Sequence, residues 1–255
     1  MRNIKLVLEY RGSNYHGWQR QKGRVTIQSI LEELISRITG EKIKVISAGR
    51  TDAGVHAMGQ VAAFRTESKH SPQVFKRALN SLLPEDIRII NVEEAEETFH
   101  PRFSAKAKSY IYFVSLDQRP SVFVADFCWT IKGRLDIDAM KEASQYIIGR
   151  HDFAGFRAKG CGARTTTRSI FEFSIDEYSI IPFMGIDIEG TFIRFRIKGD
   201  AFLRYMVRNI VGTLVEIGKG KRGISSIKDI FSRGDRRLAG VTAPAKGLFL
   251  EKVYY

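Results

Sequence analysis

At 255 residues, 44% hydrophobic and 27% charged, the chain carries enough apolar material for one large core or two small ones, which excludes a disordered segment. Lys and Arg number 41 against 28 Asp and Glu, so the formal charge is +13; the long-range field attracts polyanions and makes nucleic acid the leading partner. Cys128 and Cys161 lie far apart with no Cys or His at metal-ligand spacing, residues 1–10 lack the apolar run of a signal peptide, and no stretch approaches the roughly 18 apolar residues of a membrane span, so a cytoplasmic protein without disulfides or membrane contact is expected.

Ile4, Leu6 and Leu8 alternate as a strand does. After a polar loop over 11–24 a helix is predicted from Thr26, which can cap it; Ile27, Ile30, Leu31, Leu34 and Ile38 share one face and Gly40 can end it. Residues 42–47 read as a strand and 60–66 as its partner. A second helix runs from Ser71 and Pro72 through Phe75, Leu79 and Leu82 to a stop at Pro84, and a strand over 87–92 closes the unit. The order is β-α-β-β-α-β, a ferredoxin-like split unit with helices on one face of an antiparallel sheet.

From Ser109 the pattern restarts, with a strand over 110–116, a helix over 137–148, strands over 169–178 and 190–199, helices over 202–217 and 224–231, and a strand over 247–254. The expected class is α+β, in two ferredoxin-like halves, 1–104 and 105–255, each with an antiparallel sheet. Only residues 99–108 separate the halves, with no Pro/Gly/Ser linker, so tight packing around an active-site cleft is expected.

The most informative segment is the octet Gly49-Arg50-Thr51-Asp52-Ala53-Gly54-Val55-His56, which sets an acid two residues after an arginine in a glycine-bounded turn. A guanidinium keeps a nearby carboxylate ionised and a turn can aim it into a cleft, which suits nucleophilic chemistry. Asp followed closely by Gly is also ordinary turn chemistry.

Cations cluster at 157–168 and 194–208, whereas acids gather at 93–97, which argues against a charge carried for solubility alone. Ile193, Phe195 and Ile197 alternate with Arg194, Arg196 and Lys198, so one strand face is core and the other carries three like charges. A polyanion would neutralise them, although a solvated basic strand is the alternative. The next predicted helix places Arg204 and Arg208 four apart beside the stripe Phe202, Met206, Ile210, Val211 and Leu214. An arginine beside a packed stripe calls for a carboxylate, and a site Asp is one candidate. Arg157, Lys159, Arg164 and Arg168 stand among Gly155, Gly160 and Gly162, either a flexible cationic arm for a phosphate backbone or a solvated connection.

Tyr110 and Tyr112 share a strand face, where an aromatic can stack on a base that has left its helix or simply fill the core. His56, His100 and His151 lack metal-site spacing and a partner nucleophile, which leaves structural or RNA-contact roles. The glycine-punctuated loops at 12–17 and 218–223 match no phosphate-binding loop or dinucleotide fingerprint, so neither nucleotide cofactor nor metal is expected.

Six ordered motifs resemble the TruA-type tRNA pseudouridine synthases from end to end: Tyr15-His16-Gly17-Trp18-Gln19, the octet, Phe99-His100-Pro101-Arg102-Phe103-Ser104-Ala105, His151-Asp152-Phe153, Met206-Val207-Arg208-Asn209-Ile210, and Ala243-Pro244-Ala245-Lys246-Gly247-Leu248. The resemblance implies an isomerisation in tRNA without metal or cofactor. The uracil of a uridine is detached, turned and rejoined to its ribose through carbon 5. It makes Asp52 the nucleophile, Tyr110 the residue that holds the flipped base, Arg208 the partner of Asp52, and Arg50 the group that displaces the target base. His56, Arg102 and the cations Arg157, Lys159, Arg164, Arg168, Arg194, Arg196, Lys198 and Arg204 are the expected RNA contacts. It further implies a homodimer and target uridines at positions 38, 39 and 40 of the anticodon stem-loop. Two other classes stand against it: a catalytically silent RNA-binding or tRNA-folding module of the same fold, and an unrelated enzyme forming an acyl intermediate on Asp52, which would need an acid set for a metal.

Overall fold

The computed structural model describes residues 1–255, which divide into two units: Met1–Lys108 with Phe249–Tyr255, and Ser109–Leu248. In the first, β1 (Arg2–Tyr10), α1 (Ile27–Thr39), β2 (Ile46–Ser47), β3 (His56–Thr66), α2 (Pro72–Leu82) and β4 (Ile87–Ala95) follow the β-α-β-β-α-β order. β1 lies antiparallel between β4 and β3. The outer edge of β3 is shared: β2 pairs antiparallel at Ala62 and Ala63, whereas the C-terminal strand Leu248–Tyr254 pairs parallel at His56 and Ala57.

The alternation of Ile4, Leu6 and Leu8 buries all three side chains. Thr26 and Ser29 form a reciprocal cap on α1, each side chain accepting from the other's backbone N–H, and Gly40 closes the helix at a φ of 73°. Ser71 caps α2, whose Phe75 and Leu79 are buried against the sheet side of the unit.

The strand expected over 42–47 shrinks to Ile46–Ser47, because α1 takes over the pairing of the preceding backbone. The buried face of α1 includes Gln28 and Glu32 beside Ile27, Leu31 and Ile35. Gln28 donates to the Val45 carbonyl at 3.0 Å, Glu32 accepts from Val45 N at 3.1 Å, and Ser36 Oγ accepts from Ile43 N at 3.1 Å. Backbone groups satisfied by side chains have no need of a sheet ladder.

The second unit comprises β5 (Ala107–Ser115, from Ser109 onwards), α3 (Val122–Ala125), β6 (Trp129–Thr130), α4 (Ile137–Gln145), β7 (Gly149–Asp152), β8 (Thr167–Phe183), β9 (Ile186–Gly199), α5 (Met206–Gly218) and α6 (Ser226–Arg233). The C-terminal strand, β10 (Leu248–Tyr254), belongs from Phe249 onwards to the first unit. In the second unit the strand order is β5-β9-β8-β7, with β6 parallel beside β5. The elements α3, β6 and β7 are too short to produce a periodic signal, and the sequence reading missed them.

β8 and β9 run longer than expected and form one hairpin around Met184 and Gly185, whose φ values of 50° and 85° suit the two-residue turn that matches strand twist. The chain is thus α+β, with predominantly antiparallel strands and six α-helices. No helix is long and apolar enough to cross a membrane.

Candidate active site

In the first unit the octet crosses from β2 to the start of β3, held mostly through backbone. Trp18 N donates to Thr51 O at 3.0 Å, Gly54 N to Tyr15 O at 3.4 Å, and Val55 N to Asp52 O at 3.1 Å, with Gly54 at a φ of 77°. Two glycines permit this approach. A Cβ on Gly12 would lie 2.0 Å from Val55 O, and one on Gly17, whose φ is 82°, would lie 2.5 Å from Thr51 O. Trp18 itself is 1% exposed beneath the octet, with its ring 6.3 Å from Tyr10.

Thr51 anchors the loop inward. Its hydroxyl shares a 2.8 Å hydrogen bond with the buried Tyr10 phenol, and Gln60 donates to the Gly49 carbonyl at 2.9 Å. Burial pushes the Tyr10 phenol up to about 12, partly offset by its bonds to Thr51 and Gln60. With Thr51 turned in, Arg50 on one side is exposed and Asp52 on the other is partly exposed. Lys108 adds a buried cation that sequence reading missed, donating through Nζ to the Ala48 carbonyl at 2.6 Å.

His56, expected among the RNA contacts, is 1% exposed. Its Nδ1 accepts from Gly12 N at 3.1 Å and its ring stacks on Phe249 at 4.6 Å, so the imidazole ties the octet's end to the C-terminal strand. Arg102 is exposed and lies over the ring of Phe103, itself 77% exposed. The turn presenting them is locked by His100, whose Nδ1 accepts from Arg102 N and Phe103 N at 3.1 and 3.2 Å.

In the second unit Tyr110 lies on β5, 8% exposed, with its ring edge-on to Phe202 at 5.0 Å. Tyr112 is core: its hydroxyl donates to Pro244 O at 2.8 Å, and burial raises the phenol far above its ordinary value against the opposing charge of Arg208. Gly247 packs on Tyr112, where a Cβ would stand 2.7 Å from the ring. The shared strand face of Tyr110 and Tyr112 therefore combines a nearly buried ring and a wholly buried one.

The helix expected from 202 begins at Met206, because Tyr205 adopts a φ of 64° and breaks it. Arg204 and Arg208 are consequently not one turn apart on a single helix; each instead lies over the Tyr205 ring, at 4.9 and 4.6 Å. Arg208 Nε donates to Ala243 O at 2.7 Å, and Ala243 N donates back to Arg208 O at 3.1 Å. Of the expected stripe, Met206, Ile210, Val211 and Leu214 are buried, whereas Phe202, ahead of the break, is half-buried. Buried Asn209 pins the neighbouring loop, donating to Phe156 O at 2.7 Å and accepting from Arg236 at 3.0 Å and Thr242 at 2.6 Å.

The three-cation ladder on β9 meets carboxylates within its own hairpin. Arg194 pairs with Asp176 at 3.0 Å, and Arg196 and Lys198 both pair with Glu172, at 3.2 and 2.7 Å. The mutual repulsion that suggested a polyanion is thereby relieved by β8. The segment over 151–168 is likewise no uniformly flexible arm. Phe153 and Phe156 are buried against Phe231, His151 stacks on the same ring at 4.6 Å, and β7 pairs with β8. Beyond that anchor, Arg157, Lys159 and Arg164 are exposed and form no ion pair, while Arg168 bonds locally to Thr167 O and Thr165.

The profile of a family described as tRNA pseudouridine synthase matches residues 6–104 and 143–255. A protein of Thermodesulfovibrio yellowstonii named tRNA pseudouridine synthase A is 47% identical over 255 residues, covering 100% of both chains. One of Acetivibrio thermocellus with the same name is 44% identical over 255 residues, again covering 100% of both. Among solved structures, a chain of an archaeal box H/ACA sRNP complex aligns over 96% of this chain and 58% of that one, at 10% identity and a TM-score of 0.37.

Proposed function

The chain belongs to the tRNA pseudouridine synthase family and is an isomerase that converts uridine to pseudouridine in tRNA, and within that reaction we propose Asp52 as the nucleophile. The observation that carries this reading is the octet's clamping: Thr51 is turned inward onto Tyr10, and Asp52 is left partly exposed on a loop bonded to Trp18 and Tyr15. A nucleophile held in one orientation spends less on ordering when substrate arrives. Attack on the ribose carbon or on the uracil ring starts alike from this carboxylate.

Arg208 is the proposed counter-ion of Asp52 and Tyr110 the surface on which the extruded uracil rests, close to the carbon-5 proton that must leave. Extruding a paired base costs a few kcal/mol, which stacking and backbone contacts must offset. Arg50, exposed two residues before Asp52, would occupy the space vacated by the base. The exposed cations Arg102, Arg157, Lys159 and Arg164 would hold phosphates, with the ion-paired Arg194, Arg196 and Lys198 as weaker contributors. The family resemblance supports anticodon stem-loop uridines at positions 38, 39 and 40 as targets, a homodimer in which one tRNA touches both subunits, and a cytoplasmic location.

The test incubates the protein with an unmodified tRNA transcript and maps pseudouridine by position, alongside Asp52→Ala. Pseudouridine at the three positions with wild type and none with the variant is expected. Full activity in Asp52→Ala would overturn the nucleophile, and modification elsewhere would overturn the target. Sedimentation at micromolar concentration tests the dimer.

A further inference from the structure

Two residues other than glycine have φ in the left-handed region, Met184 and Tyr205. Met184 sits in the two-residue turn of the β8–β9 hairpin, whose geometry demands it. Tyr205 has no hairpin to account for its conformation. A bulky side chain in that region is strained, and such strain persists only where surrounding contacts over-determine it.

The backbone around Tyr205 is held by Ala158 N donating to Arg204 O at 2.9 Å and Asn209 N to Tyr205 O at 2.8 Å, and the contacts of its ring are cationic. The Tyr205 ring lies under the guanidinium carbons of both Arg204 and Arg208, at 4.9 and 4.6 Å, within the range where the negative face of an aromatic attracts a cation. Arg208 is held from a second side by Ala243, which accepts from its Nε and donates to its carbonyl. With Nε committed to Ala243, pairing with a carboxylate falls to the terminal nitrogens. An ordinary helical φ at residue 205 would extend α5 backwards, as the apolar stripe from Phe202 allows, and swing the ring away from this position.

We propose that Tyr205 is a positioning residue of this enzyme: its left-handed backbone sets the ring beneath Arg208 and, together with Ala243, holds the guanidinium in one orientation. The inference rests on the reading of Arg208 as the counter-ion of Asp52. An arginine has several rotatable bonds, and holding it between a ring and a carbonyl removes the entropy cost of ordering it in each turnover.

The experiment compares Tyr205→Phe, Tyr205→Leu and Tyr205→Gly by single-turnover pseudouridine formation, KM for tRNA and thermal unfolding. Tyr205→Leu and Tyr205→Gly should each lower the rate about tenfold with KM within about twofold of wild type, and Tyr205→Phe, which keeps the ring, should restore at least half of it. Tyr205→Gly should unfold no earlier than wild type, because glycine adopts the left-handed conformation without strain; its lost rate then cannot be blamed on lost fold. A wild-type rate in Tyr205→Leu or Tyr205→Gly would overturn the proposal, as would an equal loss in Tyr205→Phe. Arg208→Ala measured alongside separates the two readings: a wild-type rate there overturns the Asp52 pairing itself, whereas a loss there with unaffected Tyr205 variants overturns only the positioning role.

Discussion

Trp18 donates its backbone N–H to the carbonyl of Thr51, 3.0 Å away and one residue before Asp52. A segment that looks like a polar surface loop therefore forms the floor under the octet. Because the bond is between backbones, it depends on how closely the two chains approach, and that depends on glycine.

Gly17→Ala should both destabilise the protein and slow it. The left-handed φ of 82° and a Cβ 2.5 Å from Thr51 O together cost about 2–4 kcal/mol. Displacing the octet by even an ångström should cost tenfold or more in single-turnover rate. Denaturant unfolding and the rate are measured on the same preparation; wild-type values for both would show that this segment does not position Asp52.

Tyr10 predicts an alkaline stability transition. Its folded pKa of about 12 lies above the unfolded value of 10, so the neutral phenol stabilises the fold in full below pH 10. That contribution, about 2–3 kcal/mol, is lost as pH rises from 10 through 12. Tyr10→Phe should cost about 1 kcal/mol near neutrality by unpairing the Thr51 hydroxyl. It should also flatten the decline between pH 10 and 12, and an unchanged slope in urea unfolding would refute the argument.

Salt dependence of tRNA binding should distinguish two clusters of cations. Changing exposed Arg157, Lys159 and Arg164 together to Gln should reduce the log–log salt slope by about 2, since each released phosphate contact contributes about 0.7–0.9. The same change at Arg194, Arg196 and Lys198 should remove about 1 or less, because Asp176 and Glu172 already neutralise most of that ladder. Equal slopes for the two triple variants would show that the ion pairs open when RNA binds.

Asn209→Ala should destabilise the second unit by about 2–4 kcal/mol. The side chain is wholly buried and its loss strands the Phe156 carbonyl, Arg236 and Thr242 at once. The loop that carries Ala243 would loosen with them, so the rate should fall along with stability. A variant as stable as wild type would mean that water replaces the amide without cost.

Much of the first unit was legible because its signals are local. The alternation in β1, the Thr26 and Ser71 caps and the glycine stop at Gly40 act within a few residues of where they are read, and they place β1, α1, α2 and β4 close to their observed bounds. The strand expected over 42–45 does not form because the Val45 backbone bonds to Gln28 and Glu32 and Ile43 N to Ser36, side chains on the preceding helix that no strand periodicity reports.

The sequence by itself determined the basic field, the α+β class and, through six ordered motifs, the family and its expected nucleophile. Tertiary structure alone decided what each charge and ring meets. It buried His56 between Gly12 and Phe249, neutralised the β9 ladder with β8 carboxylates, and broke the helix at Tyr205 so that Arg204 and Arg208 share one ring. The physical reason is range. Periodicity and capping are set between near neighbours along the chain, whereas ion pairing, stacking and burial depend on partners that folding brings together from tens of residues away.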